Sequence, residues 1–219
     1  MGQAMEVDMP DIGSFNAITL TVFAALMALS ALATTVTLYK TVQFAMLGLG
    51  QQRAARACLA DWQHGRRDKA LTAAQTNKGV LLRMLRAVMG ALTERPDDKE
   101  WAEEIGRQIA LAELARINKW MRGLEAAVQA APMLGLLGTV VGMIDAFGTL
   151  AKSQGGVDPA LLAGGIWTAL TTTAIGLAIA IVFYFVAIWL EGRIEAERSA
   201  MEELLSATIH GHADAVGTG

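Results

Sequence analysis

The sequence predicts an all-α integral membrane protein with three transmembrane helices and long cytoplasmic helical extensions. Three stretches contain no Asp, Glu, Lys or Arg, namely residues 12–39, 126–144 and 159–190. A helix of about 20 residues crosses a hydrocarbon core of roughly 30 Å, so each stretch is long enough or nearly so. All three should be helical, because lipid offers no hydrogen-bond partner to an open backbone.

The composition agrees with a membrane protein and gives no sign of an enzyme. Hydrophobic residues make up 53% of the chain but aromatic residues only 6%, and there are 22 glycines, a residue enriched in membrane helices. The single cysteine, Cys58, excludes an internal disulfide framework and a cysteine-based zinc site. A net charge of −3 does not favour nucleic-acid binding. No motif for phosphate binding, metal binding or nucleophilic catalysis occurs, so we expect no catalytic residue, no metal and no cofactor.

The basic residues predict the orientation of the chain. All but three of the 18 Lys and Arg lie between Lys40 and Arg122; the exceptions are Lys152, Arg193 and Arg198. Because basic loops stay in the cytoplasm, the middle segment and the C-terminus should be cytoplasmic and the N-terminus outside. The first apolar stretch lacks the basic n-region of a signal peptide, so we interpret it as a retained helix.

These observations divide the chain into seven segments. Residues 1–14 form an outside N-terminal segment, 15–39 the first transmembrane helix, 40–122 a cytoplasmic helical region, 123–150 the second transmembrane helix, 151–158 an outside link, 159–190 the third transmembrane helix, and 191–219 a cytoplasmic helix and tail.

The cytoplasmic segments show helical periodicity with few breaks. Gly65 and Pro96 are expected to interrupt the helices of residues 41–95. Apolar residues then recur at helical spacing: Ile105, Ile109, Leu114, Ile117 and Met121. No stop signal follows them, which predicts one uninterrupted helix from residue 100 into the second span. The third span should likewise continue to residue 209, with Ile194, Met201, Leu204 and Leu205 on an apolar side.

Small and hydroxyl-bearing residues form a stripe on each of the last two spans. At helical spacing the second span carries Gly135, Thr139, Gly142 and Ala146, and the third carries Ala169, Thr173, Gly176 and Ala180, with Thr168 and Thr172 beside them. Such stripes allow membrane helices to pack closely. The alternative is an ion route lined by hydroxyls, which the density of threonines favours.

Neither stripe carries an ionisable group in its central part. Asp145 is the nearest, toward the outer end of the second helix. A proton route usually needs an acid or base within the membrane that can load and unload. If this chain moves protons, a partner must supply the carboxylate.

Two segments resemble the MotA/TolQ/ExbB proton-channel family. Residues 131–142, APMLGLLGTVVG, match the second-helix pattern A-P-L-L-G-L-L-G-T-V-x-G, and residues 165–177, GIWTALTTTAIGL, match the third-helix pattern G-I-x-x-A-L-x-x-T-A-x-G-L. Three helices with a short outside N-terminus resemble ExbB and TolQ more than the four-helix MotA.

The resemblance implies a homopentamer around a dimer of an ExbD-like or TolR-like single-span protein with an aspartate in its helix. Thr139 and Thr173 then belong to the ion pathway with Thr168 and Thr172 nearby, while small residues pack helices or face the partner: Gly135, Gly142, Ala169 and Gly176. The complex would lie in the bacterial inner membrane, N-terminus in the periplasm. It would convert proton-motive force into work on the periplasm and outer membrane, through a TonB-like or TolA-like protein.

One departure from the family pattern leaves alternatives open. Many ExbB and TolQ members have Glu where this chain has Thr168, which weakens the specific assignment to a TonB-linked ExbB. A sodium-driven member of the same family is one alternative, because a cluster of neutral oxygens suits a small hard cation. A non-conducting membrane scaffold is the other.

Overall fold

The chain folds into α-helices throughout the part that the computed structural model describes, residues 17–48, 50–76, 79–152 and 159–211. The helices are α1 (Ala17–Leu47), α2 (Gln52–Gln63), α3 (Arg67–Thr76), α4 (Val80–Glu94), α5 (Lys99–Asn118), α6 (Met121–Lys152) and α7 (Pro159–His210). Three helical runs are long and apolar enough to cross a membrane. The prediction of an all-α membrane protein with three spans is therefore confirmed. The predicted N-terminal segment, most of the outside link and the C-terminal tail lie outside the described residues.

The described residues form two compact units. The membrane unit comprises residues 17–35 and 123–185, and the head unit comprises residues 36–122 and 186–211. Helices α1, α6 and α7 contribute residues to both units.

In the membrane unit, α1 buries one narrow face. Val22, Leu26 and Ala33 are buried, with Leu26 and Ala33 only 1% exposed. Their spacing of four and seven residues places them on one side of a helix. Other large apolar residues of α1, such as Met27 and Leu32, remain exposed, as expected for a helix surrounded by apolar solvent.

In the head unit, α4 forms the centre of the core. Almost every apolar residue of α4 is buried: Val80, Leu81, Leu82, Met84, Leu85, Val88, Met89 and Ala91. Helices α2, α3 and α5 pack around it. Gly106 of α5 lets this helix approach both α4 and α7. A Cβ added there would collide with Leu205 of α7 and would lie 2.7 Å from the side chain of Val88 of α4. The predicted breaks at Gly65 and Pro96 are confirmed, and Ile194, Met201 and Leu204 are buried as expected.

The prediction of one uninterrupted helix from residue 100 into the second span is wrong. Helix α5 ends at Asn118 and α6 begins at Met121. Between them Lys119 is extended (φ −53°, ψ 132°) and Trp120 takes a left-handed φ of 73°. A bulky residue in that region is strained and needs surrounding structure to hold it. The local signals for this break are weak, since Asn118 and Arg116 are typical of a helix end but no glycine or proline follows them.

Two side chains of α1 satisfy the carbonyl groups at the end of α5. The fully buried Lys40 donates from Nζ to the carbonyl oxygen of Ile117, and also to Oε1 of Gln43 at 3.1 Å. Gln43 in turn donates to the carbonyl oxygen of Arg116 at 3.4 Å. The last carbonyls of a helix have no partner within the helix and carry partial negative charge, so an ammonium group there is doubly favourable. Lys40 and Gln43 thereby hold the break that follows α5.

A buried carboxylate ties the turn after α1 to α7. The backbone N–H of Gly50, whose φ is 90°, donates to Oε2 of Glu197 at 3.2 Å. Glu197 is 2% exposed, and within the described residues its Oε1 has no hydrogen-bond partner. Burial raises the pKa of Glu197. The hydrogen bond from Gly50 and the positive charge of Arg193 act in the opposite direction, but burial has the larger effect. The turn is thus fixed by one side chain seven residues beyond the third predicted span.

Candidate ion-pathway helices

Helices α6 and α7 bury their small residues. On α6 the buried column is Ala131, Gly135, Gly138 and Gly142, and on α7 it is Ala169, Thr172, Gly176 and Ala180. The steps of three and four residues follow the helical repeat and place each column on one face. The side chains that flank these columns are large and exposed, including Leu136, Val140, Trp167 and Leu177.

The two columns lie against each other in antiparallel register. A Cβ added to Gly176 would lie 2.6 Å from the carbonyl oxygen of Ala131 and 3.1 Å from Cα of Gly135. Further along, a Cβ on Gly142 would lie 2.8 Å from Cβ of Ala169. At the far end, one on Gly165 would lie 2.7 Å from Cβ of Ala146. Real Cβ atoms do not approach so closely, so glycine at these positions permits backbone-to-backbone contact. We call this contact the α6–α7 seam.

Thr173 joins the helices with a hydrogen bond across the seam. Its Oγ1 donates to the carbonyl oxygen of Gly135 at 2.7 Å. Thr172, fully buried, donates to the carbonyl of Ala169 at 2.6 Å within its own helix and lies directly against Gly138. Both threonines therefore belong to the seam.

Thr139 and Thr168 are half-buried beside the seam. Thr139 donates to the carbonyl of Leu136 at 2.7 Å, and Thr168 donates to the carbonyl of Gly164 at 3.0 Å. A hydroxyl that donates its proton to a carbonyl keeps its oxygen lone pairs as acceptors. The three half-buried hydroxyls, of Thr139, Thr168 and Thr173, can therefore accept a further hydrogen bond, whereas Thr172 is fully buried against Gly138 and acts in helix packing.

The geometry changes the predicted stripes on both helices. On α7 the buried column contains Thr172, whereas the predicted stripe had Thr173. Gly138, which the spacing argument omitted, occupies the buried column of α6, whereas Thr139 is turned partly away from it. Glycines at positions 135, 138 and 142 repeat with steps of three and four, and that pattern is the signal that could have identified Gly138. The four predicted small residues, Gly135, Gly142, Ala169 and Gly176, all lie in the seam.

Comparisons with known proteins identify the family of this chain. Residues 73–203 match the family described as the MotA/TolQ/ExbB proton channel family. An ExbB homologue from Methanothermobacter thermautotrophicus, named as a biopolymer transport protein, is 34% identical over 111 residues, or 51% of this chain. The biopolymer transport protein exbB1 of Vibrio cholerae is 35% identical over 98 residues, or 45% of this chain. An ExbB-like protein from a Synechocystis species is 44% identical over 71 residues, or 32% of this chain.

The matched segments cover only 39%, 43% and 28% of those relatives' own lengths, in the same order. The family match covers a longer part of this chain than the alignments with these relatives do. It begins in α3, includes both seam helices and ends near the end of α7. It therefore includes the glycines and threonines of the seam and most of the head unit. The chain is a multi-pass membrane protein and belongs to the MotA/TolQ/ExbB family, as a member of the ExbB/TolQ type.

Proposed function

We propose that this chain is the ion-conducting stator subunit of an inner-membrane motor that converts proton-motive force into mechanical work. The observation that supports this most is a closely packed pair of membrane helices with four hydroxyls on or beside the seam and no Asp, Glu, Lys or Arg in residues 126–144 and 159–190. Such a wall can accept hydrogen bonds but cannot carry a proton alone. The carrier is then a carboxylate on a partner.

The partner in this proposal is a single-span protein of the ExbD or TolR type, with an aspartate in its membrane helix. A ring of this chain, five subunits by family resemblance, surrounds two partner helices. The partner aspartate loads a proton on the outer side and releases it to the cytoplasm as ring and partner rotate relative to each other. The work reaches the periplasm and outer membrane through a TonB-like or TolA-like protein.

The proton assignment is tested by flux into proteoliposomes that contain this chain and a single-span partner. We expect acidification driven by a pH gradient and membrane potential, unchanged when sodium is replaced by choline. Sodium in place of protons remains the second candidate, because Thr168 and Thr172 add neutral oxygens to the site. A flux that requires sodium and does not depend on the pH gradient would show that sodium is the transported ion. If a complex of normal size transports neither ion, the result would favour the alternative of a non-conducting membrane scaffold.

The proposed orientation has the N-terminus outside and the head unit in the cytoplasm. We would replace Cys58 with Ser and introduce single cysteines at positions 14, 100 and 153. An impermeant maleimide added to intact spheroplasts should label positions 14 and 153 only, because the basic residues of 40–122 retain that segment in the cytoplasm. Position 100 should react only after lysis. Because Glu100 is exposed in the folded chain, folding itself does not prevent the maleimide from reaching this position. Labelling of position 100 in intact spheroplasts would reverse the orientation.

A further inference from the structure

A large groove runs between α5 and α7 in the head unit. It has a volume of about 1230 Å³. Leu111, Leu114 and Leu205 contribute apolar surface to it, and Leu111 is 61% exposed. The groove therefore has a small apolar floor and enough space to receive a side chain of another protein chain.

The groove is bordered by acidic residues in excess. Its charged residues are Glu103, Glu191, Glu195, Glu202, Arg107 and Arg198. Four carboxylates against two guanidinium groups leave a net charge of −2. The two arginines are already paired along their own helices, Arg107 with Glu103 at 3.0 Å and Arg198 with Glu202 at 3.1 Å. We call this surface the acidic groove.

A second surface of the head unit has the opposite charge. Met46, Arg83, Arg86 and Arg116 border it, and we call it the basic face. Arg83 pairs with Glu113, but in the part of the chain that the structure describes no carboxylate lies within 4 Å of Arg86 or Arg116. Met46 is 78% exposed, the highest value among the large apolar residues described. The basic face therefore offers two unneutralised positive charges around a protruding apolar side chain.

The acidic groove and the basic face lie on opposite sides of α5. Arg107 lines the groove and Arg116 borders the basic face. They are nine residues apart, and at about 100° per residue this separation corresponds to opposite sides of the helix. Two different, complementary patches on opposite sides of one subunit are the requirement for a head-to-tail contact, which closes into a ring when the rotation allows.

We infer that the acidic groove of one copy of this chain receives the basic face of the next copy, with Met46 entering the apolar part of the groove and Arg86 and Arg116 meeting its carboxylates. The occupant is a second copy because the chain itself carries a surface of opposite charge with an exposed apolar side chain, Met46, at its border. This inference rests on the ring proposed above, and it specifies the surfaces that build that ring.

The test reverses charge on each surface of the full-length chain. One variant carries Glu195→Arg with Glu202→Arg, and the other carries Arg86→Glu with Arg116→Glu. Native mass spectrometry and light scattering in mild detergent measure the assembly. We expect each pair alone to shift the protein from ring to monomer at about 1 μM, because like charges then face each other. Both pairs in one chain restore opposite charges and should restore the ring.

Arg53→Glu with Glu100→Arg is the matched control, because both side chains are exposed and border neither surface. It should leave the ring intact. Circular dichroism and thermal melting verify that each variant is folded.

A ring that survives either reversal overturns the inference, and so does a combined variant that is folded but monomeric. Failure of the channel proposal appears differently, as a ring of normal size that conducts no ion with its partner.

Discussion

Gly176→Ala is expected to lower the thermal unfolding midpoint of the membrane unit and to abolish ion flux. The added methyl group would lie 2.6 Å from the carbonyl oxygen of Ala131 and 3.1 Å from Cα of Gly135. Both neighbours are backbone atoms, so no side-chain rotation can relieve the collision and the helices must separate. Overpacking of this kind costs about 1–3 kcal/mol, and a backbone collision belongs at the upper end. Separation would also stretch the hydrogen bond from Thr173 to Gly135.

Gly164→Ala is the matched control in the same helix. A Cβ at Gly164 meets nothing within 4 Å, so the substitution adds no collision. Alanine is favoured over glycine inside a helix by roughly 0.5–1 kcal/mol, so this variant should melt at the same temperature or slightly higher. Melting curves of the two variants in the same detergent provide the comparison. Equal midpoints for the two would show that the α6–α7 seam does not depend on the close approach at Gly176.

The double variant Thr139→Val, Thr173→Val is expected to stall ion transport while the complex still assembles. Valine keeps the shape of threonine and removes the donor and the acceptor. The stability cost should be near 1 kcal/mol, mainly from the hydrogen bond between Thr173 and the carbonyl of Gly135. A partner aspartate left without polar neighbours should favour its protonated form, because desolvation disfavours the charged form. It would then load readily and release poorly.

Thr35→Val is the control for the loss of a membrane hydroxyl. Thr35 donates to the carbonyl of Ala31 within α1 at 2.7 Å and lies on neither seam helix. Its substitution should leave flux close to that of the wild type. Flux is measured in proteoliposomes with the partner, and complex size is measured on the same preparations. Unchanged flux in the double variant would exclude Thr139 and Thr173 from the pathway, whereas loss of assembly would show that their contribution is structural.

Local patterns in the sequence were sufficient for the spans and for most of the site. An uncharged stretch of about 20 residues has few alternatives to a membrane helix, so composition alone identified all three. The spacing of glycines and other small residues located the seam. Five of the eight residues in the two buried columns belong to the predicted stripes, namely Gly135, Gly142, Ala169, Gly176 and Ala180. Thr172 and Thr173, predicted as pathway residues, both lie at the seam, and their role in ion transport stays a prediction.

The break between α5 and α6 depended on tertiary structure. Residues 118–121 carry no glycine or proline, and Trp120 adopts a conformation that its own side chain disfavours. Residues far away in the sequence stabilise it, since Lys40 and Gln43 of α1 donate to the last carbonyls of α5. A local reading of 100–122 cannot include an interaction with residues almost eighty positions earlier.

The sequence by itself determined that this chain is an all-α membrane protein with a hydroxyl-bearing pair of helices, because hydrophobicity and helical periodicity are local properties. Tertiary structure decided which side of each helix meets the other. The column of α6 includes Gly138 rather than Thr139, since a buried position is defined by what the opposite helix presents, here Thr172. It also decided that acidic and basic surfaces of the head unit lie on opposite sides of α5, because charge distribution over a folded surface depends on how all its helices pack.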